Sequence, residues 1–124
     1  MKRDKTDALF SRYVRRLCAC ICSRCHKQHT ITSKGLHCAH WQSRGKWTTR
    51  FERDNCTALC KGCHSYLDHR PLEKDEFFRK MLGNKRADEI IALGNKTLKD
   101  IGFTKESLKA KVQEDLKDAL RLLE

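Results

Sequence analysis

The chain has 124 residues with 27 Lys/Arg against 16 Asp/Glu, enough for one compact domain with a modest core and a formal net charge of +11. No long apolar run and no basic helix with a broad apolar face accompanies that charge, which argues against a membrane partner and leaves nucleic acid as the polyanion that fits. The first residues lack the continuous apolar core of a secretory signal, so the eight cysteines are expected in a reducing cytoplasm, as ligands or free thiols rather than disulfides.

Charge and soft ligands are concentrated together. Residues 1–70 carry 15 Lys/Arg against 5 Asp/Glu and hold every cysteine and every histidine, whereas residues 71–124 carry 12 against 11. The chain therefore divides into a basic, ligand-rich unit over 1–70 and a nearly neutral helical extension over 71–124, packed on or beside it.

Thr6 is placed to cap a first helix, in which Leu9, Phe10, Tyr13, Val14 and Leu17 recur at helical spacing before it ends near Cys18 to Cys22. Thr30 to Thr32 and Leu36 to Trp41 then read as the two strands of a β-hairpin turned at Ser33-Lys34-Gly35. In the second strand, Cys38 and His40 share one face while His37, Ala39 and Trp41 share the other. Residues 42–51, QSRGKWTTRF, show no periodicity and read as a surface loop, with Arg44 and Arg50 as candidate phosphate contacts and both tryptophans as packing anchors. After Asp54-Asn55 a helical pattern is predicted from about Thr57 to Arg70, carrying Cys60, Cys63 and His64 and stopping before Pro71. Beyond it, helices are predicted over 73–82, 85–93 and from a Thr104 cap to the end of the chain, as core or partner-facing stripes without evident chemistry.

Two motifs carry the chemistry. Cys22-Ser-Arg-Cys25 and Cys60-Lys-Gly-Cys63 each have the Cys-x-x-Cys spacing that points two thiolates at one ion, and 34 residues separate them. Together they predict a tetrahedral structural Zn²⁺ site, with Cys18 and Cys20 as buried small apolar residues. The second motif is a histidine on a strand, His40, followed by a loop and a helix bearing His64. A neutral histidine can take a proton from water, while a second one holds a divalent ion against a phosphodiester.

The segments CAHWQSRG, RDN and LCKGCH, with both cysteine pairs, resemble the HNH endonuclease family, and most closely its small nicking members from phages and prophages. The resemblance covers about Cys22 to His69 and implies an α+β chain built on a ββα-metal (His-Me finger) core with a four-cysteine zinc site, flanked by an N-terminal helix and C-terminal helices. It also implies roles: His40 as general base, His64 as ligand of a catalytic Mn²⁺ or Mg²⁺, and Asn55 as the residue that orients the loop presenting His40. The products would carry a 3′-hydroxyl and a 5′-phosphate. Many family members place Asp, Glu or His directly before the general base as a second metal ligand, whereas this chain has Ala39. That departure implies weak binding of a hard ion, completed by water, DNA phosphate, His37, Asp68 or His69, and a preference for an ion tolerant of imidazole such as Mn²⁺.

The expectation is therefore a metal-dependent DNA endonuclease of low sequence specificity, nicking double-stranded DNA as a monomer or weak dimer. The alternative is a zinc-stapled DNA-binding accessory protein of phage recombination or packaging in which cleavage is weak.

Overall fold

A computed structural model describes residues 3–123; Met1, Lys2 and Glu124, at the ends of the two units read from the sequence, lie outside the described residues. The elements run α1 (Lys5–Leu17), β1 (Leu36–His40), α2 (Trp47–Arg50), β2 (Cys56–Cys60), α3 (Lys61–Asp68), α4 (Pro71–Leu82), α5 (Asn84–Gly94) and α6 (Lys105–Leu123). The fold is thus α+β. None of the described helices is both long and apolar enough to cross a membrane.

The hairpin predicted from Thr30–Thr32 does not form. Residues 30–32 run through a turn, and β1 pairs instead with β2, antiparallel, in a register that sets Leu36 opposite Cys60 and His40 opposite Cys56. The segment expected to open the helix, residues 57–60, is therefore strand. A short apolar run such as Cys-Thr-Ala-Leu-Cys suits a strand buried on both faces as well as a helix start, and Cys56, Thr57, Ala58 and Leu59 are indeed all buried. The helix begins at Lys61 because Cys60 is extended and serves as N-cap, its sulfur accepting from the Cys63 N–H.

Other boundaries move for local reasons. Asp4, not Thr6, caps α1: its carboxylate accepts the Asp7 N–H while the Asp7 carboxylate accepts the Asp4 N–H, a reciprocal capping box. Thr6 is buried and accepts a hydrogen bond from Gln113 of α6. Within the expected 42–51 loop, Trp47–Arg50 makes a single helical turn. Pro71 starts α4 rather than only ending α3, since its missing N–H falls among the first-turn groups that have no intrahelical partner.

The two-stranded sheet is the partition of the molecule. On one face α3 covers Ala39 and Leu59, with Leu36, Cys63 and Leu67 in the same cluster. On the other, α1 brings Phe10 and Val14 against Cys56, and Leu116 of α6 closes that cluster. The C-terminal helices pack on the core: α6 on α1, α5 on α2 and α4 on α3. Trp41 stacks on Phe78 of α4 with ring centroids 5.7 Å apart, and Trp47 lies under Arg50, Lys105 and Lys109, so both tryptophans are packing anchors as expected.

Candidate metal centre and active-site cleft

The sulfurs of Cys22, Cys25, Cys60 and Cys63 all lie within 4.8 Å of one another, with Cys25 Sγ and Cys60 Sγ 3.8 Å apart. Four thiolates about 2.3 Å from one Zn²⁺ in a tetrahedron would stand roughly 3.8 Å from each other, so the quartet fits a structural zinc ion. Local backbone builds it. Cys22 N–H donates to Lys27 O and Ser23 N–H to Ala58 O, which ties the first Cys-x-x-Cys turn to β2. Within each turn the second cysteine's N–H donates to the first cysteine's sulfur, at 3.5 Å for Cys25 to Cys22 and 3.4 Å for Cys63 to Cys60. Burial opposes ionisation of Cys22, but the N–H groups converging on its sulfur outweigh it and hold the thiol at about 6. The Arg24 guanidinium donates to Cys63 Sγ at 3.4 Å, a cation placed where a four-thiolate zinc centre carries net negative charge. Cys20 is buried and Cys18 partly buried outside this quartet, as the spacing suggested.

The second centre is a cleft of about 720 Å³ running along β1 and bounded by α1, the 31–34 turn and the start of α4. His37, His40 and His64 all line it, with Arg3, Arg15, Lys34, Arg44 and Lys74 against Asp7 and Asp68. The excess of cations suits a phosphate-bearing ligand. Lys74 comes from the half of the chain read as free of chemistry. Its signal was absent from the sequence because only the packing of α4 on α3 brings it to the cleft, where it pairs with Asp68 at 2.7 Å.

His40 Nε2 lies 2.9 Å from the Arg50 carbonyl. A carbonyl only accepts, so Nε2 carries the proton and Nδ1 keeps its lone pair. Burial pushes the His40 pKa below 6.5; the Arg50 carbonyl and Asp7 pull the other way, but the ring stays neutral at physiological pH. The Arg50 carbonyl is itself held in place. Buried Asn55 accepts the Gln42 N–H at 2.7 Å and donates to Gln42 O at 3.0 Å and Thr49 O at 3.1 Å, while its own carbonyl accepts the Trp41 N–H. Asn55 thus fastens both ends of the 41–50 segment on which His40 depends.

Arg50 departs from its expected surface role. Its side chain is 2% exposed and bound through two nitrogens to Asp7, so it is committed to a buried pair that locks the 42–51 segment onto α1 and is not available to a phosphate. Arg44, 30% exposed and 4.0 Å from Asp7, does face the cleft.

On the other face of β1, His37 Nε2 lies 3.2 Å from the Lys34 carbonyl and His37 Nδ1 lies 2.9 Å from His64 Nδ1. If Nε2–H of a neutral His37 donates to that carbonyl, its Nδ1 lone pair accepts from His64 Nδ1–H. His64 Nε2 is then bare, and it faces the Asp68 carboxylate at 3.3 Å. A proton on Nε2 would satisfy this contact as an ion pair, and the same separation would also fit two ligands each about 2.0–2.2 Å from one divalent ion. Burial keeps the His64 pKa below 6.5, aided by His37 and Lys74 and opposed by Asp68, so the ring is available as a ligand. His69 does not join this group; it is exposed, with Nδ1 bonded to the Ser65 carbonyl. Ala39 is fully buried beneath α3, so the position before His40 is filled with core and offers no ligand. His37, two residues earlier on the same face, is the residue that meets His64.

Comparison with protein-family models, with curated proteins and with solved structures finds no match to this chain.

Proposed function

We propose that the protein is a metal-dependent endonuclease of the HNH type that hydrolyses phosphodiester bonds in double-stranded DNA. The observation that carries this reading is one cation-lined cleft holding His40, its Nε2 bound to the Arg50 carbonyl, and, on the opposite face of the same strand, His64 with Nε2 against the Asp68 carboxylate. His40 acts as general base: Nδ1 takes the proton from the attacking water while the Arg50 carbonyl keeps Nε2–H oriented and stabilises the imidazolium that results. Asn55 is a positioning residue, acting through the segment that presents that carbonyl. His64 and Asp68 would hold a divalent ion such as Mn²⁺ or Mg²⁺, with His37 fixing the His64 tautomer, and the bound ion would offset charge at the scissile phosphate and leaving oxygen. Arg44 and Lys74 orient the backbone phosphates. One site per chain favours nicking over a double-strand break, and backbone contacts favour low sequence specificity. The four-cysteine centre is the structural zinc site that staples the two ends of the unit.

Two observations favour a second reading, a zinc-stapled DNA-binding accessory protein that cuts weakly: buried Ala39 removes a ligand position beside the base, and Asp68 is shared with Lys74. End-labelled duplex incubated with Mn²⁺, Mg²⁺ or EDTA separates the two. Metal-dependent cleavage leaving 5′-phosphate and 3′-hydroxyl ends, lost in His64→Ala, is expected; salt-sensitive binding with no cleavage in any metal would select the second reading.

A further inference from the structure

The core cluster beneath α1 carries a second group of soft donors. Cys38 and His40 project from β1 on the face toward α1, and Cys56 stands opposite His40 in the register of β2. The two sulfurs and a ring nitrogen of His40 lie within 4.8 Å of one another. Cys38 and His40 open onto the cleft, which gives an ion a route in, and Cys38 and Cys56 belong to a different core cluster from Cys22, Cys60 and Cys63. Two thiols and one imidazole form a donor set suited to Zn²⁺ or Cd²⁺, which accept three protein ligands and an open fourth position, and unsuited to Mg²⁺ or Ca²⁺, which take oxygen.

We infer that Cys38, His40 and Cys56 form a second, thiophilic metal site whose occupation removes the His40 base. Binding releases the two thiol protons to solvent and places the ion on the imidazole, so no lone pair remains to accept a proton from water. Hard ions at His64 and Asp68 would then support the reaction, and excess zinc would stop it. The inhibitory half of this inference rests on the nuclease reading; the binding half does not.

Zinc-replete protein titrated with Co²⁺ tests the site. The parent is expected to take up one cobalt ion with sulfur-to-cobalt charge-transfer absorption in the near ultraviolet, which a histidine–carboxylate site does not give. Cys38→Ser, at a half-buried position, is expected to weaken that binding by at least roughly 10–100-fold, the loss seen when even an outer partner of a ligand is removed. Cys38→Ala serves as a second variant, and retained zinc content and circular dichroism show that each is folded. Equal charge-transfer absorption in parent and variants would overturn the site. In Mn²⁺-supported nicking, zinc is expected to inhibit the parent far more than Cys38→Ser, each measured against its own zinc-free rate; equal inhibition would overturn the regulatory role. A parent inactive in every metal would remove the nuclease reading and with it the inhibitory role, while the cobalt result would still decide the site.

Discussion

The two faces of the β1–β2 sheet are built by different means. Toward α3 the ligands arrive from short-range sequence: each Cys-x-x-Cys closes its own turn, Cys60 caps the helix that carries Cys63 and His64, and Asp68 follows His64 by one helical turn. Toward α1 the site is assembled from distant pieces, since His40 depends on the Arg50 carbonyl, Arg50 on Asp7, and the intervening segment on Asn55. An ion can hold the first face together, whereas the second relies on buried polar contacts that must all be satisfied at once.

Breaking the α3 face should have the largest effect. Cys60→Ser removes a thiolate and weakens the α3 cap, and with roughly 10 kcal/mol or more of folding free energy invested in a structural zinc ion, it is expected to lose zinc and cooperative unfolding together. An unchanged melting curve with zinc absent would contradict the stapling role.

On the α1 face, Asp7→Ala leaves Arg50 charged and buried, which should cost about 3–5 kcal/mol in urea unfolding; a loss below about 1 kcal/mol would show the pair is not the lock described. Burial raises the Asp7 pKa, but Arg50 and the Asp4 N–H outweigh it and hold the carboxyl below 3.8. A lowered folded-state pKa means that this stabilisation is complete above the ordinary aspartate range and is lost as pH falls through and below 3.8, so parent and Asp7→Ala stabilities should converge in acid.

Asn55→Ala comes next. It orphans buried groups of residues 42 and 49, at about 2–3 kcal/mol, and nicking should fall further than stability because the carbonyl that aligns His40 shifts. Smaller still is a pH effect: cleavage should gain its acid limb below 6.5, reflecting a His40 kept neutral by burial, and a midpoint above 6.5 would contradict that environment. The least change in stability is expected of Lys74→Ala, about 1 kcal/mol or less at a partly exposed pair, with DNA binding losing about one unit of salt slope.

What could be read from the chain divides along the same two faces. Both cysteine pairs, the alternation that separates His37 from His40 and the three C-terminal helices were legible because each depends on neighbours within a turn or a strand. The partner of β1 was not, because a strand buried on both faces shows no alternation and Cys60, Cys63 and Leu67 continue its apolar run at helical spacing. Arg50 looked like a surface cation for an equally physical reason: its acid is Asp7, 43 residues away. Lys74 and the His37–His64 contact likewise exist only once α4 and α3 have packed.

The central claim, that His40 is the base of a metal-dependent nuclease, is tested most directly by supercoiled plasmid incubated with Mn²⁺, Mg²⁺ or EDTA, comparing parent with His40→Ala at equal zinc content. Conversion to open circles by the parent alone, dependent on added metal, is the result expected. Equal conversion by His40→Ala would contradict the assignment of the base, and no conversion by the parent in any metal, with DNA binding retained, would contradict the nuclease itself.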